Sequence, residues 1–307
     1  MCPIPPRSRW RPTVLGVRSP AGWVPALVGL AGIAGAGVPE VGSIRHDKEG
    51  YSLFRPVPRA QMRPMELDRP DKTESPYTVD AGHYQLEMDL VNGAWDRESL
   101  DTGTRTTTGL AVAPMNWKAG LLNHVDFQCV IQPFNHLRVD DPDAGAPVVR
   151  SGFGNIVTRL KVNLWGDDGG ATALAVMPYV TWPTAADGLG ADHVEGGLII
   201  PFAAELPAGW GLGMMTAADF GSVTQDGVTA TVVNTVTLGH DLIGPLAGYI
   251  EFFSEVSTSP GDPWIGTLDF GVTWTLSGDW VLDAGINVGV TRSAPDLNPF
   301  AGLSHRF

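Results

Sequence analysis

The chain has 307 residues, 43% of them hydrophobic, with 38 Gly, 25 Pro and 33 acidic against 20 basic side chains, for a formal charge of −13. An acidic surface repels phosphate backbones, so nucleic acid is excluded as a partner. Mean hydropathy of +0.03 leaves no room for a bundle of membrane helices, each needing about 20 apolar residues, yet allows a membrane barrel, whose strands are apolar on one side only.

Residues 1–36 carry the pattern of an export signal. Arg7, Arg9, Arg11 and Arg18 form a basic start without an acid, Gly22 to Ile33 is a short apolar run, and Ala34-Gly35-Ala36 offers small residues for cleavage. Cys2 would leave with that signal. Cys129 then stands alone on a face with Val125, Phe127 and Ile131, as a small apolar filler. Residues 37–76 form an extended segment rich in Pro and Arg. Pro56, Pro58, Pro64, Pro70 and Pro76 forbid a long helix or a central strand. Two readings stand for it: a segment entering a barrel mouth, where its Arg meet acids, or a solvated linker.

From Tyr77 onward the pattern is strand after strand, with a period of two. In Tyr77 to Leu90, His83, Gln85, Glu87 and Asp89 oppose Tyr84, Leu86, Met88 and Leu90. Gly109 to Ala119 follows, its faces less clearly divided. In His124 to Arg138, His124, Asp126, Gln128 and Gln132 oppose Val125, Phe127, Cys129 and Ile131. In Asn155 to Trp165, Arg159 and Lys161 oppose Leu160 and Val162. Strands are then expected over 172–182, 193–206, 210–220, 229–242, 246–256, 264–276, 280–291 and 297–307, which brings the count to twelve. Each is near the roughly 9–11 residues that cross a bilayer at a tilt.

Every second connection is short, as at Pro207-Ala208-Gly209, Ile243-Gly244-Pro245 and Ser277-Gly278-Asp279. The others, such as 91–108, 139–154 and 183–192, are longer and more polar. Short and long in alternation, with an even strand count, is what a membrane barrel needs, and a Greek-key sandwich has no reason for it. Trp117, Trp165, Trp182, Trp210, Trp264 and Trp280 fall at strand ends, where an interfacial girdle belongs. The last strand ends on Phe307 and has a partner in the first, so it closes the barrel, and Phe307 is expected at the periplasmic rim as a signal for the barrel-assembly machinery.

Three stretches resemble a known family. DRPDKTESPYTVDAGHYQLEMDL (Asp68 to Leu90) resembles the opening motif of a family of outer-membrane transporters filed under the MetA pathway of phenol degradation. GFGNIVTRLKVNLWGDDGG (Gly152 to Gly170) is similar to its middle hairpin, and NPFAGLSHRF to its end. The resemblance implies a β-barrel in the bacterial outer membrane and a transport role, with aromatic compounds suggested by the pathway. It brings no catalytic set.

No GxSxG, HExxH, CxxC or Walker-type loop occurs. His124 and Asp126 share a face and suit polar lumen lining better than a metal site, for want of a third ligand. Ser254 or Ser304 with His240 or His305 is not selected by spacing as a hydrolase. No enzyme, metal or cofactor is expected. The expectation is an all-β, antiparallel up-and-down transmembrane barrel over residues 77–307, passing small solutes passively through the bacterial outer membrane, with outer-membrane lipid around it. Glu87, Asp89, Asp126, Glu251, Glu255, Asp269 and Asp283, with Arg159, Lys161 and Arg306, are expected to line the lumen. They either form mutual ion pairs that fill a narrow barrel or leave a mainly negative passage. The rivals are a soluble secreted β-sandwich that binds a ligand and a barrel with a purely structural role.

Overall fold

The computed structural model describes residues 48–224, 227–259 and 261–307, so the export-signal expectation over residues 1–36 lies outside the described residues. Fifteen strand segments follow one another: β1 (Tyr84–Leu100), β2 (Gly103–Val112), β3 (Met115–Leu122), β4 (Val125–Ile131), β5 (Phe134–Asp140), β6 (Val148–Gly152), β7 (Ile156–Trp165), β8 (Thr172–Trp182), β9 (Glu195–Glu205), β10 (Trp210–Thr224), β11 (Gly227–Ile243), β12 (Leu246–Ser257), β13 (Ile265–Ser277), β14 (Trp280–Gly289) and β15 (Leu297–Arg306). Three breaks split what are otherwise single strands. Ala113-Pro114 separates β2 from β3, Gln132-Pro133 separates β4 from β5, and residues 153–155 separate β6 from β7. Pro114 and Pro133 have no N–H to give a ladder, so pairing stops at each. Across the breaks, β1 pairs with both β2 and β3, β3 with β4 and β4 with β7.

Joined across the breaks, the segments make twelve strands, all antiparallel, and β15 pairs with β1 from Gln85↔Arg306 to Trp95↔Leu297. The sheet closes on itself through β1 and β15, and beyond that ring β6 pairs with β5 alone. Among the described residues no helix is long and apolar enough to cross a membrane, so the strands do the crossing.

The alternation decides the faces. On β12, Glu251 is 1% exposed and the neighbouring Phe252 40%. Polar side chains point in and large apolar ones point out, the reverse of a soluble barrel, because the outer surface meets lipid. Phe127, Leu160, Leu198, Phe270 and Leu282 belong to the same outer belt, and Cys129 lies half-buried on that face. All six Trp expected at strand ends are exposed, and several keep a polar partner for the indole: Trp182 Nε1 donates to Thr158 Oγ1 (3.0 Å) and Trp264 Nε1 to Ser254 Oγ (3.0 Å). Placing a cation in the belt, as in Ile250→Arg, is expected to destabilise the barrel by about 2–4 kcal/mol and to lower the fraction that keeps a compact, heat-modifiable form on a denaturing gel.

Besides β6, which lies within the expected loop 139–154, and β10 and β11, which extend into the expected loop 221–228, two elements differ from the sequence expectation. The first strand begins at Tyr84, not Tyr77, because the main chain of residues 78–81 bonds to side chains and to another stretch of chain. Thr78 N–H goes to Asp167 (2.9 Å), Val79 N–H to Asp126 (3.1 Å), and the Ala81 carbonyl accepts from Val57 N–H (3.0 Å). Gly82 then turns the chain into β1 at φ 79°. A Cβ there would sit 2.5 Å from Pro56 Cα, so only glycine fits the turn. The second difference is the expected loop 91–108, which is largely strand. β1 and β2 run on past the bilayer in register, from Trp95↔Thr108 to Leu100↔Gly103.

Candidate functional site: a lumen filled by the chain itself

Residues 48–83 precede the barrel, and their second half occupies its interior. The first part lies across the short-turn end. Leu53 N–H donates to the Leu121 carbonyl (2.8 Å), Lys48 reaches Asp80 (3.2 Å) and Asp168 (3.3 Å), and Arg59 pairs with Asp279. Arg63 bridges Asp80 (3.3 Å) and Asp167 (3.1 Å). Residues 67–81 then run inside and are almost entirely buried. The segment is extended and proline-rich, so it enters with few internal backbone bonds, and its polar groups are met by the wall.

Each contact is specific. Asp68 accepts from Lys161 (2.7 and 2.9 Å) and pairs with Lys118 (2.5 Å), while its own N–H donates to Glu87 (2.9 Å). Arg69 pairs with Asp89 and reaches Asp283 through Nε (3.1 Å) and Nη2 (2.7 Å). Lys72 pairs with Asp269 (3.0 Å), and its N–H donates to Glu251 (2.8 Å). The Thr73 hydroxyl donates to Glu251 (2.6 Å) and lies 2.6 Å from the Thr235 hydroxyl. Glu74 pairs with Arg159 (2.6 Å). Charges buried this deeply cost several kcal/mol each unless paired, so the match between segment and wall is what permits a charged interior.

Of the ten wall residues singled out in the sequence, eight are buried in the interior, and their acids and bases meet the inner segment more than one another. Asp126 takes the Val79 N–H and a Gln128 amide proton (3.1 Å each). The other two stand apart. Glu255 is half-buried toward the long-loop end of β12. Arg306 sits at the short-turn rim, with Nε on Asp279 (3.0 Å) and Nη1 on the Arg63 carbonyl (2.8 Å). At that rim, burial alone would raise Asp279, but the hydrogen bond and charge of Arg306, with Arg59, hold its carboxyl below the usual range. The hydrogen bond to Asp167 raises His124.

Lys118 was missed in the sequence reading. It is 3% exposed and also pairs with Glu87 on the next strand. Its signal was the parity of Asn116, Lys118 and Gly120, blurred by the break at Pro114. Asp68, Lys72, Thr73 and Glu74 were missed as well, because nothing periodic marks a segment that contacts a wall, whereas Arg69 meets Asp89 and Asp283 as the reading of a segment entering the barrel mouth allowed.

The outcome is an interior closely filled around the segment. Each of the twelve strands contributes at least one inward side chain no more than 8% exposed, including Glu87, Lys118, Asp126, Lys161, Met177, Met215, Thr237, Glu251, Asp269, Asp283 and Ser304. Beyond the tip of the segment the inner wall changes character: Val157, Met177, Ile199, Met215, Val233 and Phe253 form an apolar band.

The residues weighed for catalysis do not converge. Ser304 is buried and points inward, whereas His305 stacks on Trp280 at 3.8 Å. His240 leans on Trp210, and Ser254 accepts from Trp264. His124 turns to Asp167 (3.4 Å) and away from the partners of Asp126, and among the described residues no group of three possible metal ligands forms.

A closed antiparallel barrel with a lipid belt, an aromatic girdle and a polar lumen is a bacterial outer-membrane β-barrel. The chain belongs to the family described as "Putative MetA-pathway of phenol degradation", whose model matches residues 67–307 and so takes in the inner segment as well as the barrel. No curated protein matches it. Among solved structures it is similar to an outer membrane channel from Pseudomonas putida F1, with 14% identity over 78% of this chain and 99% of that one and a TM-score of 0.56. That likeness shows the fold. The NanC porin (8% identity, 71% and 98% covered, TM-score 0.44) and the translocator domain of the autotransporter NalP from Neisseria meningitidis (10% identity, 73% and 88% covered, TM-score 0.46) are more distant.

Proposed function

We propose that the protein is an outer-membrane channel for small solutes, closed at rest by its own residues 64–80. The observation that carries this reading is the construction of the lumen. A barrel that served only as structure could fill its interior with a packed apolar core. This one keeps a charged wall and satisfies it with a separate, extended segment held by side-chain contacts, while the barrel itself rests on backbone ladders. The segment can leave without unzipping a strand. Passage is then passive, since nothing in the lumen calls for coupling to a gradient or a nucleotide.

Two features support a solute class. The apolar band beyond the segment suits weakly polar molecules, aromatic compounds among them, and the family description points the same way. With the segment displaced, acids outnumber bases on the exposed wall, since Glu87, Asp89, Asp126, Glu251, Asp269 and Asp283 face Lys118, Arg159 and Lys161. Such a wall favours neutral or cationic solutes over anions.

The test is single-channel recording in a planar bilayer. Full-length protein is expected to show rare, brief openings. A variant with residues 64–80 replaced by a Gly-Ser linker of equal length is expected to conduct continuously, with a reversal potential that shows cation preference. Silence from the linker variant, while it still migrates as a folded barrel, would refute the channel reading and leave a structural barrel in its place.

A further inference from the structure

Ahead of the part that fills the lumen, the chain makes an excursion over the barrel's rim. Lys48 is buried against Asp80 (3.2 Å), and Val57 is buried with its N–H on the Ala81 carbonyl (3.0 Å). Between these two fixed points the chain crosses the β3–β4 turn. Ser52 forms antiparallel bridges with Leu122 and with Arg55, and Leu53 N–H donates to the Leu121 carbonyl (2.8 Å). Ser52 and Arg55 exchange both backbone hydrogen bonds (3.0 and 2.9 Å), so Leu53 and Phe54 form the tip of a tight turn. Phe54 is 94% exposed there, the most exposed large hydrophobic residue among those described.

A phenylalanine held away from the protein by a hydrogen-bonded turn adds nothing to the core, and its neighbours indicate what it meets. Leu122 on the same rim is 51% exposed, and Trp165 is exposed at the end of β7, the strand beside β4. Ile243 at the β11–β12 turn is 77% exposed, and Phe307 stacks on Trp117 at 6.0 Å. Such a ring of apolar side chains at the short-turn end belongs to the periplasmic interface of the membrane. Phe54 continues that ring, contributed by the inner segment in place of the wall. Arg55 beside it is exposed, with its guanidinium 5.6 Å from the Tyr51 ring and one 3.4 Å contact to the Gly50 carbonyl. Among the described residues Arg55 forms no ion pair. An apolar ring next to a cation on a flexible stem suits acyl chains lying beneath phosphates.

We propose that the Leu53-Phe54-Arg55 turn anchors the inner segment to the phospholipid leaflet on the short-turn side, with the Phe54 ring among the acyl chains and the Arg55 guanidinium at the phosphates. The anchor itself does not depend on the channel reading. Its consequence for gating does: residues 64–80, tethered at the rim, leave the lumen without diffusing away and find it again quickly.

Nitroxide labelling tests the anchor in vesicles of phosphatidylethanolamine and phosphatidylglycerol, with Cys2 and Cys129 replaced by Ala in every variant. A label on Phe54→Cys is expected to relax with dissolved oxygen in preference to a water-soluble nickel chelate. A label on Phe252→Cys in the lipid belt sets the lipid standard, and one on Ala144→Cys in the exposed β5–β6 loop sets the aqueous one. Preference for nickel at position 54 overturns the assignment by placing the turn in water. Shielding from both reagents overturns it as well, because a second copy of the chain would then cover the turn. Bilayer recordings read the tether: Phe54→Ser is expected to lengthen open times about tenfold, whereas Phe54→Trp keeps the wild-type value. An oxygen-exposed label on a protein that never opens, even as the linker variant, removes the channel and leaves the anchor. A nickel-exposed label with open times unchanged in Phe54→Ser removes the anchor and leaves the channel.

Discussion

Asp68→Ala is expected to raise the open probability of the channel by a factor of about 10²–10³. Asp68 is 1% exposed and is shared by two buried ammonium groups, Lys118 at 2.5 Å and Lys161 at 2.7 Å. It also accepts the Ser75 N–H (3.0 Å), which folds the segment back on itself. Alanine leaves Lys118 with Glu87 as its remaining ion pair and Lys161 with the Tyr77 carbonyl at 3.3 Å, and the charge of Asp126 is shared between the two lysines. Removing one partner of a buried pair costs about 3–5 kcal/mol, because the remaining charge is left without compensation. The barrel can escape that penalty in one cheap way. If the segment withdraws, water enters and hydrates both lysines, while the ladder that closes the wall stays intact. The penalty therefore falls on the closed state, and every 1.4 kcal/mol shifts the balance about tenfold. Bilayer recordings of Asp68→Ala beside wild type give the ratio directly. A folded Asp68→Ala barrel with wild-type conductance would show that the segment is not what holds the lumen shut.

The same buried pairs explain which parts of the molecule could be read from sequence. From β8 onward each expected strand starts or ends within a few residues of the observed one, because Gly, Pro and Asp turns punctuate an uninterrupted alternation of inward and outward side chains. The early strands were harder. Pro114 and Pro133 break the ladder, and a bulge between Asp89 and Val91 shifts register, so one run of sequence carries two phases. Tyr77 to Ala81 illustrates a different difficulty. Extended chain alternates its side chains whether or not it pairs in a sheet, and here its N–H groups satisfy Asp167 and Asp126 across the lumen. Hydrophobic period cannot distinguish those two uses of an extended backbone.

The wall charges show a related limit. Their inward direction follows from parity alone, but their partners do not, since Arg69 meets Asp283 across 214 positions of sequence. A reader of sequence sees acids on one face and asks whether they pair with one another or line a passage. In the structure those acids are met as the segment-entering reading allowed: residues 67–81 are a counterpart that carries the opposite charges into the lumen. Pro56, Pro58, Pro64, Pro70 and Pro76 are part of that design, because an extended, helix-incompetent chain can thread a narrow barrel and presents alternating groups to opposite walls.

Locking that counterpart in place tests the gate from the other side. Thr73 Oγ1 lies 2.6 Å from Thr235 Oγ1 on β11, and both residues are buried. Cysteines at these two positions place their sulfurs within reach across the junction of tip and wall, the kind of approach a disulfide requires, with Cβ atoms about 3.5–4.5 Å apart. Cys2 and Cys129 are replaced by Ala so that no other thiol competes. Oxidised Thr73→Cys/Thr235→Cys protein is expected to remain at the closed baseline, and a reductant added to the same bilayer is expected to restore wild-type openings within minutes. The decisive form carries Asp68→Ala as well. There the charge penalty pushes the segment out while the covalent bond holds it in, so conductance should be low when oxidised and high when reduced. Equal conductance in both redox states, with the cross-link verified by mass spectrometry, would mean that solutes pass without moving residues 64–80, and the gate would have to lie elsewhere in the barrel.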